Sequence, residues 1–399
     1  MSNPAIFKIP IVDLRAQYGK IREEVRRAID DVNDSQQFIL GPAVRIFEEQ
    51  MAAYLRCEHA VGVASGSDAL LLALMALDVG PGDAVITTPF TFFSTVSSIT
   101  RLGALPLFVD IDPASYLISA EGIEQFLKLR GQIRAGGTID SRTGLRIKAL
   151  LPVHLFGQCC AMNELTDLAQ RYRLKIVEDV AQACGARMAG GGATKFAGSI
   201  GDLGCFSFFP SKNLGGFGDG GMVSANSHEL ADRISMLRRH GERIKYYHEV
   251  TGLNSRLDSL QAAVLTIKQQ YLESWCEERI ERAETYHQLF SRNGLVGHGL
   301  TSIPPSTTDK SHVFNNYVIG AERRDELKQF LGEQGIQTEI YYPLPLHLQA
   351  CFAHLGYKQG DFPQSELAAR QVLALPLFPE LTAAQQESVA GVIRDFYRA

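Results

Sequence analysis

Strand-like and helix-like segments alternate through residues 60–240, and this alternation constrains the fold more than any other feature. Short apolar runs such as DAVITT (83–88) and LPLFVD (105–110) have the length and composition of strands. Longer segments such as SDALLLALMAL (67–77) and NELTDLAQRYR (163–173) have the pattern of helices. The alternation predicts an α/β domain with a mostly parallel sheet.

Similar runs predict the other strands of this domain. They are AVGVA (60–64), KALLPVHL (148–155), LKIVED (174–179), LGCFSFF (203–209) and GMVSA (221–225). KALLPVHL is apolar throughout, which is typical of a strand buried on both faces. The hydrophilic residues 130–146 are predicted to form a loop between elements.

A length of 399 residues favours two domains. We expect residues 1–254 to form an N-terminal helical segment and the large α/β domain. Residues 255–291 have one long helical pattern and are predicted to link the domains. Residues 292–399 mix short strands with helices, which predicts a smaller α+β domain.

Composition excludes several functional classes. The 39 basic and 44 acidic residues include no basic run, so no nucleic-acid partner is expected. No apolar run approaches about 20 residues, and the N-terminus lacks the pattern of a signal peptide, so no membrane span is expected. Seven cysteines without a C-x-x-C pair predict free thiols and a cytoplasmic protein. The ten histidines have no metal-ligand spacing, so no metal is expected.

The glycine-rich stretch FSFFPSKNLGGFGDGG (206–221) contains a single lysine, Lys212. Gly216, Gly218 and Gly221 spell the dinucleotide fingerprint G-x-G-x-x-G, but the following residues are strand-like and begin no helix, so we reject that interpretation. Lys212 follows a predicted strand, and ligands of open α/β sheets bind beyond the carboxyl ends of strands. Its apolar surroundings predict a lowered pKa and a usable amine nucleophile, although a plain surface lysine is the alternative.

A second motif, VEDVAQACGA (177–186), places Asp179 at the end of a predicted strand and Gln182 three residues later. A pyridoxal phosphate enzyme needs a lysine to bond the cofactor aldehyde and an acidic residue to pair with the ring nitrogen. Asp179 and Lys212 supply this pair of groups. The alternative is that Asp179 caps the next helix.

The phosphate of such a cofactor has a predicted position at GVASGSDALLLAL (62–74). Gly66 and Ser67 lie where a strand turns into a helix, and the N-terminus of a helix favours anions. Ser207, five residues before Lys212, offers a second hydroxyl. Phe92 lies in TPFTFFST (88–95) and could stack on the cofactor ring. A helix-capping serine and a core phenylalanine are the alternatives.

These motifs match one family in order and spacing. The sequence resembles the nucleotide-sugar aminotransferases of the DegT/StrS group, pyridoxal phosphate enzymes with the aspartate aminotransferase fold. The matching segments are IPIVDLRAQY (9–18), GPAVRIFEEQMAAYL (41–55), GSDALLLAL (66–74), TPFTFFST (88–95), VDIDP (109–113), LPVHLFGQ (151–158), EDVAQACGA (178–186), SFFPSKNLGGFGDGG (207–221), RRHGERIKYYHEVTGLNSRLDSLQAAVL (238–265) and YYPLPLHLQ (341–349). The resemblance implies fold type I of the pyridoxal phosphate enzymes: a large domain with a mostly parallel seven-stranded sheet flanked by helices, and a smaller C-terminal α+β domain.

The resemblance also implies roles for the cofactor residues. Lys212 bonds the cofactor aldehyde and later carries the proton between the two reacting carbons. Asp179 pairs with the ring nitrogen, and Gln182 lies beside the ring hydroxyl. Ser67 and Ser207 hold the phosphate. L-Glutamate is the implied amino donor, and a keto sugar on a nucleoside diphosphate is the implied acceptor.

Further residues follow from the resemblance. Phe92 occupies the ring-stacking position. Asn254 matches a residue that reaches the phosphate from the neighbouring subunit, which implies a homodimer with a shared active site. Tyr342 and His347 lie in the segment that lines the sugar pocket, and Arg256 is expected to meet the nucleotide.

Three positions depart from the family's pattern. Relatives usually have threonine at the position of Ser67 and often tyrosine or tryptophan at that of Phe92, and both replacements keep the physical role. The loop at 130–146 is longer than usual. The stretch NLGGFGDGG (213–221) resembles that of enzymes that aminate C3 of the sugar rather than C4.

Three other functions remain as alternatives. A dehydratase on the same scaffold has histidine in place of the lysine, so Lys212 argues against it. An aminotransferase for a cyclitol or another free ketone would share the same cofactor site. A cofactor-binding regulator would need a DNA-binding module, and the sequence has no helix-turn-helix pattern or basic patch.

Overall fold

The structure is a computed structural model that describes residues 8–188, 194–307 and 309–398. The first seven residues, which belong to the predicted N-terminal segment and to the N-terminus predicted to lack a signal peptide, lie outside the described residues. Residues 189–193 of the predicted large domain and residues 308 and 399 of the predicted small domain also lie outside them.

Helices make up the outer layers of the molecule. They are α1 (Leu14–Ser35), α2 (Pro42–Leu55), α3 (Gly66–Ala76), α4 (Phe93–Arg101), α5 (Ala120–Arg130), α6 (Met162–Tyr172), α7 (His228–Leu237), α8 (Ser259–Gln269), α9 (Leu272–Arg292), α10 (Arg324–Glu333), α11 (Pro363–Gln371) and α12 (Ala383–Arg398). Several of them begin at a side chain that caps the first turn; Ser65, for example, accepts the N–H of Asp68 at 3.1 Å.

The strands form three sheets. They are β1 (His59–Val63), β2 (Asp83–Thr87), β3 (Leu105–Phe108), β4 (Gly131–Arg134), β5 (Gly137–Asp140), β6 (Arg146–Leu150), β7 (Lys175–Asp179), β8 (Leu203–Ser207), β9 (Gly221–Ala225), β10 (Glu242–Ile244), β11 (Tyr247–His248), β12 (Leu300–Ser302), β13 (Tyr317–Ala321) and β14 (Val372–Leu375).

The large sheet has the predicted α/β architecture. Its main path runs β1-β9-β8-β7-β6-β2-β3, and β3, β2, β6, β7 and β8 are paired in parallel. β9 is antiparallel to both β8 and β1. All five residues of β2 and of β9 are buried, because helices cover the sheet. The prediction of an α/β domain built on parallel strands is therefore confirmed, but the sheet is mixed and has nine strands rather than seven, because β4 and β5 add to its seven-stranded main path.

The predicted loop at 130–146 is wrong, because these residues extend the sheet. β4 and β5 form an antiparallel hairpin, and β5 pairs with β6. The Arg130 guanidinium closes the base of the hairpin by donating two hydrogen bonds of 2.7 Å to the buried Asp140 carboxylate. Gly137 has a φ of 122° at the turn, which suits glycine.

The predicted strand at 148–155 is shorter than expected. β6 ends at Leu150, and a proline, which has no N–H for a strand ladder, follows at position 152. The carbonyl of Pro152 instead accepts the N–H of Asp179 at 2.9 Å. Residues 151–158 thus turn over the end of the sheet, next to the last residue of β7.

The predicted single helix at 255–291 is wrong, because it consists of two helices. α8 ends at Gln269, and α9 begins at Leu272. At the break, the N–H groups of Gln270 and Tyr271 bond to carbonyls three residues earlier, so the last turn of α8 tightens and the α-helical hydrogen-bond pattern is interrupted. The Tyr271 ring stacks on Trp275 with centroids 5.8 Å apart, and both pack in a small apolar cluster with α1.

The C-terminal part has its own antiparallel sheet, in the order β12-β13-β14. It is covered by α9, α10 and α12, whose apolar faces form a hydrophobic cluster separate from that of the large sheet. The exact division at residues 254 and 291 stays a prediction. Across the parts of the chain that the structure describes, no helix has the length and apolar character that a membrane crossing requires.

Candidate active site

A cavity of about 430 Å³ lies at the carboxyl ends of the central strands of the large sheet. Several of the predicted site residues line it together, although their elements are far apart in the sequence. These residues are Gly66, Ser67, Phe92, Asp179, Gln182, Ser207, Lys212 and Tyr342. Their convergence follows from the topology, because parallel strands end at one edge of the sheet and their following loops meet there.

Lys212 lies in the loop between β8 and β9. Its backbone N–H donates to the carbonyl of Phe209 at 2.9 Å, and the side chain of the next residue, Asn213, donates to the carbonyl of Val313 at 3.2 Å. Burial lowers the pKa of Lys212 to about 8, while the charge of Asp179 opposes the shift. About a tenth of the amine is therefore unprotonated at pH 7, far more than for an ordinary lysine, and the unprotonated amine is the form that acts as a nucleophile.

Asp179 ends β7 and faces the same cavity. The Thr95 hydroxyl donates to Asp179 Oδ2 at 2.9 Å, and the N–H of Ala181 donates to Oδ1 at 3.2 Å. Burial raises the pKa of Asp179, whereas these two donors and the charge on Lys212 lower it. Both carboxylate oxygens are thus held in place, and a cationic group in the cavity would complete the pairing.

A second buried carboxylate, Glu178, precedes Asp179 and fixes the end of β7 by hydrogen bonds to neighbouring segments. It accepts the N–H groups of Gly198, Ile200 and Gly201 at 2.6 to 2.9 Å. His154 Nδ1 accepts the N–H of Cys160, so its Nε2–H donates to Glu178, at 2.9 Å. This network fixes the backbone that carries Asp179, because the N–H of His154 also donates to the carbonyl of Asp179 at 3.0 Å.

The first turn of α3 forms one wall of the cavity. N–H groups in the first turn of a helix have no acceptor within the helix, so they can bind an anion. Ser67 Oγ lies 2.6 Å from Ser94 Oγ, and Ser207 faces the same turn from the end of β8. A Cβ on Gly66 would lie 2.6 Å from the Cβ of Ser207, so only glycine lets the helix approach the strand this closely.

Aromatic rings form another wall. Phe92 is 56% exposed, and its ring centroid lies 6.1 Å from that of Tyr342. The Tyr342 hydroxyl accepts a hydrogen bond from Gln182 Nε2 at 3.1 Å, while Gln182 Oε1 accepts the N–H of Phe156 at 2.6 Å. Phe92 therefore presents an accessible ring face, and Gln182 has a fixed orientation.

Three predicted substrate or cofactor residues do not line this cavity. Asn254 is exposed and Arg256 is half-buried, both in the segment before α8. The prediction that His347 lines the sugar pocket is not supported, because its ring is buried between Phe362, at a centroid distance of 4.8 Å, and Glu366, which accepts from Nε2 at 3.1 Å. The neighbouring Leu346 packs in an apolar cluster with Phe352 and Phe362, and this part of the segment does not line the cavity.

Sequence reasoning missed several residues of the cavity. Thr91, Asn315, Asn316 and Tyr341 line it, and Thr95 supports Asp179 directly beneath it. The hydroxyls of Thr91 and Thr95 lie 2.9 Å apart. Both threonines lie in the motif TPFTFFST, but the prediction for this motif concerned its aromatic residues and assigned no role to the threonines.

The fold and the cavity together define a pyridoxal phosphate-dependent aminotransferase, because a large mixed sheet carries a lysine, a carboxylate and an anion-binding helix N-terminus around one cavity. The chain belongs to the DegT/DnrJ/EryC1/StrS aminotransferase family, whose model matches residues 19–394.

Several known proteins are similar over nearly their whole length. A protein of Geobacillus stearothermophilus named pleiotropic regulatory protein is 46% identical and covers 98% of this chain and 99% of its own. The UDP-N-acetyl-3-dehydro-alpha-D-glucosamine 3-aminotransferase of Acidithiobacillus ferrooxidans is 42% identical, with 97% of each chain covered. The crystal structure of Streptomyces venezuelae DesV in complex with a ketimine intermediate has 40% identity and a TM-score of 0.88, covering 98% of this chain and 99% of that one.

Proposed function

We propose that the protein moves an amino group from L-glutamate to the C3 keto group of a nucleoside-diphosphate-linked keto sugar. The observation that carries the proposal is the convergence of Lys212 and Asp179 on one cavity. The names of three relatives with 34–42% identity, which describe transaminases or aminotransferases of UDP- or dTDP-linked 3-amino or 3-oxo sugars, support the substrate class.

The residues of the cavity fit pyridoxal 5′-phosphate. The phosphate would bind at the first turn of α3, beside Ser67 and Ser207, and the ring would lie against Phe92. Asp179 would face the ring nitrogen, since its carboxylate oxygens are already fixed by two donors. When bound, the cofactor supplies an aldehyde that accepts the amino group and a ring that withdraws electrons from the reacting carbon.

Two side chains of the protein would then act in the reaction: Asp179 stabilises a charge, and Lys212 transfers protons. Asp179 keeps its negative charge next to the ring nitrogen and so favours the protonated ring. Lys212 Nζ takes the proton from the α-carbon of L-glutamate and later delivers a proton to the sugar carbon that receives nitrogen. A lysine with a pKa of about 8 is suited to both transfers, because its acid and base forms coexist near neutral pH.

We propose further that the enzyme works as a homodimer with shared active sites. Asn254 is exposed and lies outside the cavity of its own chain, as expected for a residue that serves a neighbouring subunit. Nearby, the β10–β11 hairpin exposes Ile244, Tyr246 and Tyr247 at 69–78%, an apolar surface that a second copy could cover. Arg256 would meet the nucleotide from the same segment. The cysteine content favours the cytoplasm as the site of action.

The test is direct turnover. Purified protein is incubated with pyridoxal 5′-phosphate, L-glutamate and UDP- or dTDP-linked 3-keto and 4-keto sugars, and products are analysed by mass spectrometry and NMR. We expect a 3-amino sugar and 2-oxoglutarate, and we expect Lys212→Ala to abolish both. Lys175→Ala is the matched control, because Lys175 lies at the opposite end of β7 and pairs with Asp202 on the surface.

Each other outcome points to a different function. Nitrogen at C4 contradicts the assigned position but keeps the enzyme class. Amination of a cyclitol ketone, with no reaction of any nucleotide sugar, supports the alternative aminotransferase. Full transfer by Lys212→Ala overturns the mechanism. Measured turnover by the wild type excludes a purely regulatory role of the kind that the name of the Geobacillus relative suggests.

A further inference from the structure

The loop that carries Lys212 closes on itself. We define it as the Lys212 loop, residues 209–215. On either side of it, the N–H of Gly216 donates to the carbonyl of Phe208 and the N–H of Phe208 donates to the carbonyl of Gly220, both at 2.8 Å. These bonds join the residues on the two sides of the loop, so its ends are fixed relative to each other.

The glycines after Lys212 allow close packing rather than flexibility. A Cβ on Gly215 would lie 2.3 Å from the carbonyl oxygen of Pro210, and a Cβ on Gly216 would lie 2.7 Å from Gln261 Oε1. Gln261 belongs to α8, which therefore packs directly against the backbone at the end of the loop. A larger residue at either position would displace the loop or the helix.

Two side chains of α8 bond to this backbone. Gln261 Oε1 accepts the N–H of Phe217 at 2.7 Å, and the ammonium of Lys268 donates to the carbonyl of Gly215. The two residues lie seven positions apart on α8, hence on one face of the helix. They hold the peptide groups on both sides of Gly216.

Lys268 is an unusual anchor because it is buried without a counter-ion. Only 3% of it is exposed, and it forms no ion pair with any residue that the structure describes. Its Nζ lies 5.6 Å from the ring centroid of Phe217 and 5.8 Å from that of Trp275. Burial lowers the pKa of Lys268 to about 8. A buried ammonium is costly, so a lysine here needs a reason beyond filling space.

We propose that Lys268 is a positioning residue: its ammonium holds the carbonyl of Gly215 and thereby fixes the depth of Lys212 in the cavity. The inference rests on the proposed role of Lys212 as the reactive amine. It does not require Lys268 to touch cofactor or substrate, and Lys268 does not line the active-site cavity. It faces a separate cavity of about 310 Å³, beside Tyr18 and Phe217.

The test measures the Lys212 amine in the full-length protein without cofactor. Lys268→Met removes the ammonium but keeps a long side chain, and Gln270→Met, at the exposed end of α8, is the matched control. The pH dependence of Lys212 acetylation by acetic anhydride, followed by mass spectrometry, gives the pKa of the amine. Amide hydrogen exchange of residues 209–217 is measured in parallel.

In Lys268→Met we expect the pKa of Lys212 to rise from about 8 towards its ordinary 10.5, by about one unit, because a displaced loop exposes the amine to water. Exchange of the Gly216 and Phe217 amides should become about tenfold faster. Gln270→Met should change neither. If Lys268→Met alters only the unfolding temperature and leaves both measurements at the wild-type values, Lys268 merely packs and the proposal is wrong.

A second variant covers the case in which Lys268→Met does not fold. Lys268→Gln also removes the ammonium and is one bond shorter but keeps a polar side chain, and the same shift of the Lys212 pKa and the same faster exchange are expected. Unchanged values in Lys268→Gln would then overturn the proposal. These measurements require no turnover, so a failure of the proposed sugar reaction would not affect them, and the two hypotheses can be refuted separately.

Discussion

Replacing Thr95 by valine is the sharpest test of how the Asp179 carboxylate is prepared for a cationic partner. The Thr95 hydroxyl donates its proton to Asp179 Oδ2, so the Thr91 hydroxyl, 2.9 Å away, must donate to Thr95. All three residues are buried. Valine has nearly the shape of threonine but no hydroxyl, so Thr95→Val removes the end of this chain of hydrogen bonds while leaving the helix and the sheet in contact.

The size of the effect follows from the charge of the acceptor. A hydrogen bond to a charged group contributes about 1.5–3 kcal/mol, which corresponds to about a 10- to 150-fold change in an equilibrium constant. Burial already raises the pKa of Asp179, and the Thr95 hydroxyl is the largest opposing influence. Without it the carboxyl group protonates more readily and cannot pair with the ring nitrogen. We therefore expect Thr95→Val to weaken pyridoxal 5′-phosphate binding by about 10- to 150-fold.

The assay is a titration of cofactor-free protein with pyridoxal 5′-phosphate, followed by visible absorption. Thr95→Ser keeps the hydroxyl and should bind nearly as well as the wild type. Thr100→Val, on the same helix, is the control, because within the described structure the Thr100 hydroxyl bonds to the carbonyls of Val96 and Ser97 and to no other group. Wild-type affinity in a folded Thr95→Val protein would refute the view that this hydroxyl maintains the charge of Asp179.

Two further predictions concern the other walls of the cavity. Gly66→Ala places a Cβ 2.6 Å from that of Ser207, and strain of about 1–3 kcal/mol at the phosphate wall should weaken cofactor binding about 5- to 150-fold, measured by the same titration. Gly80→Ala, whose Cβ meets nothing within 4 Å, should bind normally, and equal affinities in the two variants would contradict the prediction. Asp179→Asn should lower the pKa of Lys212 below about 8, because the charge of the carboxylate raises that pKa in the wild type. The pKa is measured from the pH dependence of Lys212 acetylation. A value at or above that of the wild type would show that this charge does not act on the amine.

Much of the site follows from the sequence because the central strands of the sheet are parallel. Asp179 ends a predicted strand, Ser207 lies two residues before the end of another, and Gly66 directly precedes a predicted helix. Parallel strands end at one edge of a sheet, so recognising the strands was enough to bring these residues together. The resemblance to the family then supplied the role of Phe92, which no local pattern separates from a core phenylalanine.

The sequence does not predict contacts between distant segments. Thr95 reaches Asp179 across 84 positions, and a threonine in a short helix has no local feature that marks such a contact. The same applies to His347, whose burial depends on Phe362 and Glu366 later in the chain. The hairpin at 131–140 was missed because its strands are short and polar, and the Arg130–Asp140 pair that closes it becomes visible only after folding.

The two central groups of the cavity are held in opposite ways, and the difference matches their proposed tasks. Both oxygens of Asp179 accept hydrogen bonds from fixed donors, as suits a charge that must stay beside one ring atom. No hydrogen bond holds Lys212 Nζ among the residues that the structure describes, whereas the loop beneath it is tied to α8 by Gln261 and Lys268. An amine that must bond to the cofactor, leave it and carry a proton between two carbons needs a mobile side chain. It also needs a backbone that does not move, because a misplaced amine loses the alignment on which proton transfer depends. The glycines beside Lys212 satisfy the second requirement, since they let α8 approach closely enough to hold the loop.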